Sequence, residues 1–177
     1  MNYKSGEDSD TGIKIYLREI GQIPLLTPEE ERVDDRTGKL RFDIPLLAAR
    51  LTGAIGWLSD QSETRSLPVA LFGASTGAAA ALQAAAEVPE LVQLVISRGG
   101  RPDLAGDALE RVAVPTLLIV GSRDVEVLAL NQAAAARLAG PVEIAIVPAA
   151  THLFPEPGTL DRVVELALEG LRRNLAG

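Results

Sequence analysis

From Leu67 onward, short apolar runs closed by turn residues alternate with helix-forming stretches, and this alternation leaves little choice of fold. "LPVALFG" (67–73), "LVQLVIS" (91–97), "VPTLLIVG" (114–121) and "VEIAIVP" (142–148) have the length and the Val, Ile and Leu content of buried strands. Between and after them the pattern predicts helices over 75–87, near 126–139 and near 158–174. Strands joined through helices of this length run in the same direction. The class expected is therefore α/β, with about four parallel strands and helices on both faces of the sheet. Upstream, Leu47, Leu51, Ala54, Ile55 and Leu58 recur on one face of a further helix that runs to about Asp60. Hydrophobic residues make up 47% of the chain but aromatic ones only 3%, so the interior is expected to be built from small and branched aliphatic side chains.

Composition also removes several kinds of chemistry. With no cysteine there are no disulfides, thiolate metal sites or cysteine nucleophiles, and with a single histidine there is no multi-histidine metal centre. The net charge is −7 and no dense Lys/Arg stripe interrupts it, which disfavours autonomous binding of nucleic acid through phosphates. No apolar run approaches the roughly 20 residues that a membrane helix needs, and the polar start "MNYKSGEDSDTG" has no apolar signal core. A cytoplasmic protein with no membrane partner is the expectation.

"GASTG" (73–77) sits directly between the first strand and an alanine-rich helix. Two readings fit Ser75. It is either the cap of a buried helix or a nucleophile raised on a sharp strand-to-helix turn, the G-x-S-x-G elbow. Asp124 follows "TLLIVGSRD" just past one strand, and His152 follows "IVPAATH" just past the next. A serine needs a base in order to attack at neutral pH, and the imidazole needs a carboxylate to fix its tautomer. All three side chains fall at the carboxyl ends of parallel strands, where open α/β sheets place their sites, and their chain order is Ser, Asp, His. That joint placement favours the nucleophile over the cap.

The strings "RFDIPLLAARL", "GASTGAAAAL", "SRGGRPDLAGDAL", "PTLLIVGSRD" and "ATHLF" resemble the C-terminal part of an α/β-hydrolase of the dienelactone-hydrolase-like group, from about Leu25 to the end. The resemblance implies Ser75 as nucleophile, His152 as general base, Asp124 as its orienting acid and the Thr76 amide as one oxyanion donor. It implies a small ester or lactone substrate and no cofactor or metal. Arg98 and Arg101 of "SRGGRPD" are candidate contacts for an acidic substrate group, with a structural loop role as the alternative. Hydrolases of this fold have about eight strands and take a second oxyanion donor from the loop after the third. Here four strands correspond to the last four, so the core is truncated and one donor is missing, a loss that typically costs about 10²–10³ in kcat.

Ahead of that core, "DTGIKIYLREIGQIPLLTPEEE" resembles region 1.2 of primary bacterial sigma factors over residues 11–31. Ile13 to Ile20 fit strand alternation and helical spacing alike, and the helical reading is preferred; Thr27 and Pro28 then read as the cap and first residue of another helix. The division expected is an acidic, sigma-like leader over 1–24 and a partial hydrolase domain over 25–177, the pattern of a recombined or engineered chimera. Residues 1–36 carry five basic and nine acidic side chains, which repel phosphates. Apolar residues of this leader are expected to cover the sheet edge left by the missing strands, within one chain or in a homodimer. Three functions follow: a weak serine hydrolase, a catalytically incompetent chimera that self-associates, and a transcription-related interaction module.

Overall fold

The computed structural model describes residues 40–175, nearly all of it in the second of two units, 41–177, into which the chain divides. The helical reading of 13–20, the Thr27–Pro28 helix start, the sigma-like stretch 11–31 and the boundary expected at 24–25 lie outside the described residues.

Four parallel strands, β1 (Ala70–Ala74), β2 (Leu94–Arg98), β3 (Thr116–Gly121) and β4 (Val142–Val147), pair in the order β1-β2-β3-β4. Helix α1 (Ile44–Asp60) precedes the sheet; α2 (Thr76–Glu87), α3 (Val125–Ala135) and α4 (Thr159–Leu175) follow β1, β3 and β4, and a kinked 3-10 segment, Pro102–Arg111, follows β2. The expected α/β class, strand number and parallel direction are all found. Ladder register sets Ala74 beside Arg98 and Arg98 beside Ile119, so the strand ends that carry chemistry finish side by side.

Element limits differ from expectation where proline or local bonding intervenes. β1 begins at Ala70 rather than Leu67, and β3 at Thr116 rather than Val114, because Pro68 and Pro115 have no N–H to give a ladder. β2 starts three residues later than expected and runs on to Arg98. α3 stops at Ala135, four residues short of 139, where Arg137 and Leu138 turn their N–H groups back onto the Ala134 carbonyl. The 3-10 segment had no counterpart in the sequence reading; Gly106, at φ 58°, breaks it into two turns.

On one face α2 lies directly against the sheet and α1 packs over α2. Ala78, Ala79, Ala80, Ala81, Ala84 and Ala85 are all buried, and such small side chains let α2 approach closely on both of its sides. Asp43 caps α1 by accepting the Leu46 N–H at 3.0 Å, with a proline in the first turn. The other face is covered by α4, whose Val163, Leu166 and Ala167 join Leu94, Ile96, Leu117 and Ile119 in a second core. That cover is partial: Phe72 is 56% exposed, and with Leu160, Val164 and Leu168 it lines an open apolar groove of about 370 Å³ beside the β1 edge. No helix among the described residues is long and apolar enough to cross a membrane.

Candidate active site

Ser75 is the single residue between β1 and α2, and its backbone stands at φ 50°, ψ −125°. A side chain in this region carries strain of order 1–3 kcal/mol, which the surroundings must hold in place. Gly73 allows the turn: a β-carbon there would come 2.4 Å from the Gly77 carbonyl oxygen and 2.6 Å from the Ala78 main chain. The Ser75 carbonyl accepts the N–H groups of Ala78 at 3.2 Å and Arg101 at 3.0 Å. Ser75 is exposed and occupies the N-cap position of α2, but its side chain makes no capping bond to that helix. Thr76 opens α2, so its N–H belongs to the first turn, whose amides lack helical partners.

The loop after β2 presses against both neighbours. A β-carbon on Gly100 would come 2.5 Å from Ala78 Cβ and 2.0 Å from Ser97 Oγ, so Gly100 serves packing at the elbow, while one on Gly99 would come 3.1 Å from the His152 carbonyl oxygen. The two arginines around it have different fates. Arg101 forms a two-pronged ion pair with Asp103 at 2.9 and 2.8 Å, which holds its guanidinium above its ordinary pKa and is the loop role weighed for it. Arg98 lies over the Phe154 ring, 5.5 Å from its centroid, at the head of the apolar groove. It has no ion-pair partner among the described residues, and its buried Nε has no hydrogen bond.

Asp124 ends the Ser122–Arg123–Asp124 turn after β3. It stands at the start of α3 without capping it, because its carboxylate reaches instead to the loop after β4. Asp124 Oδ2 lies 2.6 Å from His152 Nδ1, with the carboxylate side chain 14% exposed and the imidazole 43%. A carboxylate can only accept, so neutral His152 carries its proton on Nδ1 and leaves Nε2 bare to take one. Among the described residues no hydrogen bond joins Ser75 Oγ to His152.

The same turn clamps the histidine loop. Ser122 N–H donates to Val147 O at 2.9 Å, Ser122 Oγ accepts the Ala149 N–H at 2.8 Å, and Arg123 N–H donates to Ala150 O at 2.9 Å. Ala149 and Phe154, on either side of His152, both have positive φ, at 61° and 57°. Ser122 and Glu156 escaped the sequence reading; "SRD" and "PEPG" look like ordinary turns, and neither string shows that Ser122 binds the main chain of the loop after β4 or that the Glu156 carboxylate accepts the Thr151 N–H five residues back.

A parallel α/β sheet with a left-handed serine after β1 and an Asp–His pair at the ends of β3 and β4 is the architecture of an α/β-hydrolase, and the comparisons agree. Dienelactone hydrolase from Anabaena variabilis superposes with a TM-score of 0.82 at 56% identity, over 85% of this chain and 70% of that one. The chain belongs to the dienelactone hydrolase family. The esterase domain of a Rhodothermus marinus protein shares the fold at 22% identity and a TM-score of 0.59, over 71% of this chain and 68% of that one. Curated proteins of Mycobacterium tuberculosis, strains H37Rv and CDC 1551, are 58% identical over 153 residues and are provisionally named phosphoribosyl transferases. Those 153 residues are 86% of this chain and 34% of each curated protein, so the chain spans about a third of the relatives' length. The model of sigma-70 factor region 1.2 matches residues 12–33.

Proposed function

We propose that the chain carries a serine hydrolase site for small esters or lactones. Ser75 Oγ attacks the carbonyl, His152 Nε2 takes its proton, and Asp124 orients the imidazole and stabilises its charged form. The alkoxide or phenoxide leaving group departs with that proton, and water, deprotonated by the same imidazole, releases the acid and restores Ser75. The Thr76 amide, at the positive end of α2, donates to the oxyanion. Arg98, which has no ion-pair partner among the described residues and lies over Phe154, is a cation available to a carboxylate on the substrate.

The observation that carries this reading is the strained, uncapped Ser75 together with the 2.6 Å Asp124–His152 bond. A helix cap gains nothing from strain, and a surface turn aspartate has no reason to reach a histidine one loop away. A fluorophosphonate probe is expected to label the parent chain and not Ser75→Ala; an unlabelled parent would overturn the reading.

A second reading comes from the provisional name of the Mycobacterium tuberculosis relatives, in which the segment similar to this chain accompanies phosphoribosyl transfer in a longer protein. Release of pyrophosphate from a phosphoribosyl donor by this chain, undiminished in Ser75→Ala, would favour it.

A further inference from the structure

We propose that Glu156 is a positioning residue for His152, acting through the main chain of Thr151, the residue just before the imidazole. The inference rests on His152 serving as the general base. The imidazole is 43% exposed, so packing alone does not fix it, and its side-chain bond is to Asp124. That bond orients the ring only while the backbone beneath the ring holds still. This backbone lies between two residues with positive φ, Ala149 and Phe154, in a conformation that needs outside support.

On the strand side the support comes from Ser122 and Arg123, bonded to Ala149 and Ala150. On the helix side it comes from Glu156, whose two carboxylate oxygens accept the Thr151 N–H at 3.2 and 3.1 Å. Glu156 is itself held by the first residue of α4. The single hydroxyl proton of Thr159 is shared between the Glu156 carbonyl at 2.7 Å and the Phe154 carbonyl at 3.0 Å, and the Thr159 N–H donates to Glu156 O at 3.1 Å. Glu156 thus joins the anchored start of α4 to the one peptide N–H that precedes His152. An ionised acceptor makes this bond stronger than a neutral one would. Hydrogen bonding from the Thr151 side chain first, and then from its N–H, together with the charge of Arg123, keeps the Glu156 carboxyl below its ordinary pKa.

The chain has one histidine, so its Nδ1–H proton gives a single assignable downfield NMR signal. In Glu156→Gln, which keeps the size and removes the charge, that signal is expected to move upfield or broaden. With an activated ester, kcat is expected to fall on the order of tenfold, KM to stay within about twofold and the fold to persist. Should the Gln variant fail to fold, Glu156→Asp is read in the same way, since its carboxylate is one methylene too short to keep the bond. A parent-like NMR signal in the folded variant, or a changed signal with kcat unaltered, overturns the proposal. The NMR measurement needs no turnover. If the phosphonate probe leaves the parent unlabelled, it is the hydrolase reading that falls, and the Nδ1–H signal alone decides whether Glu156 holds the imidazole.

Discussion

Gly73 and Gly77 are the two glycines of one pentapeptide, yet a β-carbon at residue 73 would strike the Gly77 carbonyl at 2.4 Å whereas a β-carbon at residue 77 would meet nothing within 4 Å. Only the first is required by space. Gly73→Ala is expected to destabilise the fold by about 1–3 kcal/mol or more, because the atoms it strikes are main chain and cannot rotate away. Gly77→Ala, in the first turn of α2, is expected to be neutral or stabilising by up to about 1 kcal/mol. Urea midpoints of the two variants, measured side by side, check the contrast.

Because Asp124 sets the tautomer of His152, a small chemical change at residue 124 is expected to have a large kinetic effect. Asp124→Asn keeps the size of the side chain but can donate to Nδ1, which favours the imidazole with its proton on the wrong nitrogen. If Ser75 and His152 act as proposed, kcat falls on the order of 10⁴-fold with the fold intact. Ester hydrolysis and circular dichroism on the same sample separate lost activity from lost structure.

Ala149 has a φ of 61°. Replacing alanine with glycine ordinarily destabilises, yet Ala149→Gly is expected to cost nothing or to add up to about 1 kcal/mol, since relief of left-handed strain offsets the extra freedom of the unfolded chain. Ala79→Gly, in the buried helix α2, is the control that should lose stability. Thermal midpoints that fall equally in both variants would contradict the strain argument.

Glu156 also gives stability a pH dependence of known sign. Its carboxyl lies below the ordinary value because Thr151 bonds to the charged form. The contribution is therefore present above the carboxyl's unfolded pKa and is lost as pH falls through the lower, folded value. The difference in melting temperature between the parent and Glu156→Gln should be constant near neutrality and shrink on acidification through the carboxylate range. A pH-independent difference would show that the charge plays no part.

The sheet was legible because strands such as "TLLIVG" are buried along their whole length and therefore read as unbroken apolar runs. The positions of Ser75, Asp124 and His152 were legible because each lies in a recognisable turn just past a strand, β1, β3 and β4 in that order. What escaped depends on side chains that bond to the main chain and on local backbone conformation. Nothing in "PEPG" indicates that Glu156 turns back to Thr151, and nothing in the identities of Ala149 and Phe154 indicates a positive φ. The end of α3 was misjudged for a similar reason. "AAAARLAG" offers no local stop before Gly140, while in the fold Leu138 packs against the core and Arg137 reaches across to Asp107 and Glu110.

The order β1-β2-β3-β4 means that every strand pairs with its neighbour in the chain and none is inserted between two others. Each new strand therefore has its docking partner already made as synthesis proceeds from β1 to β4, and no ladder waits for a later segment. A sheet of this kind can be joined to or parted from other sequence along an outer edge, at β1 or at β4, without unpicking any of its three internal ladders. That makes it a portable unit of architecture, suited to recurring in proteins of quite different length.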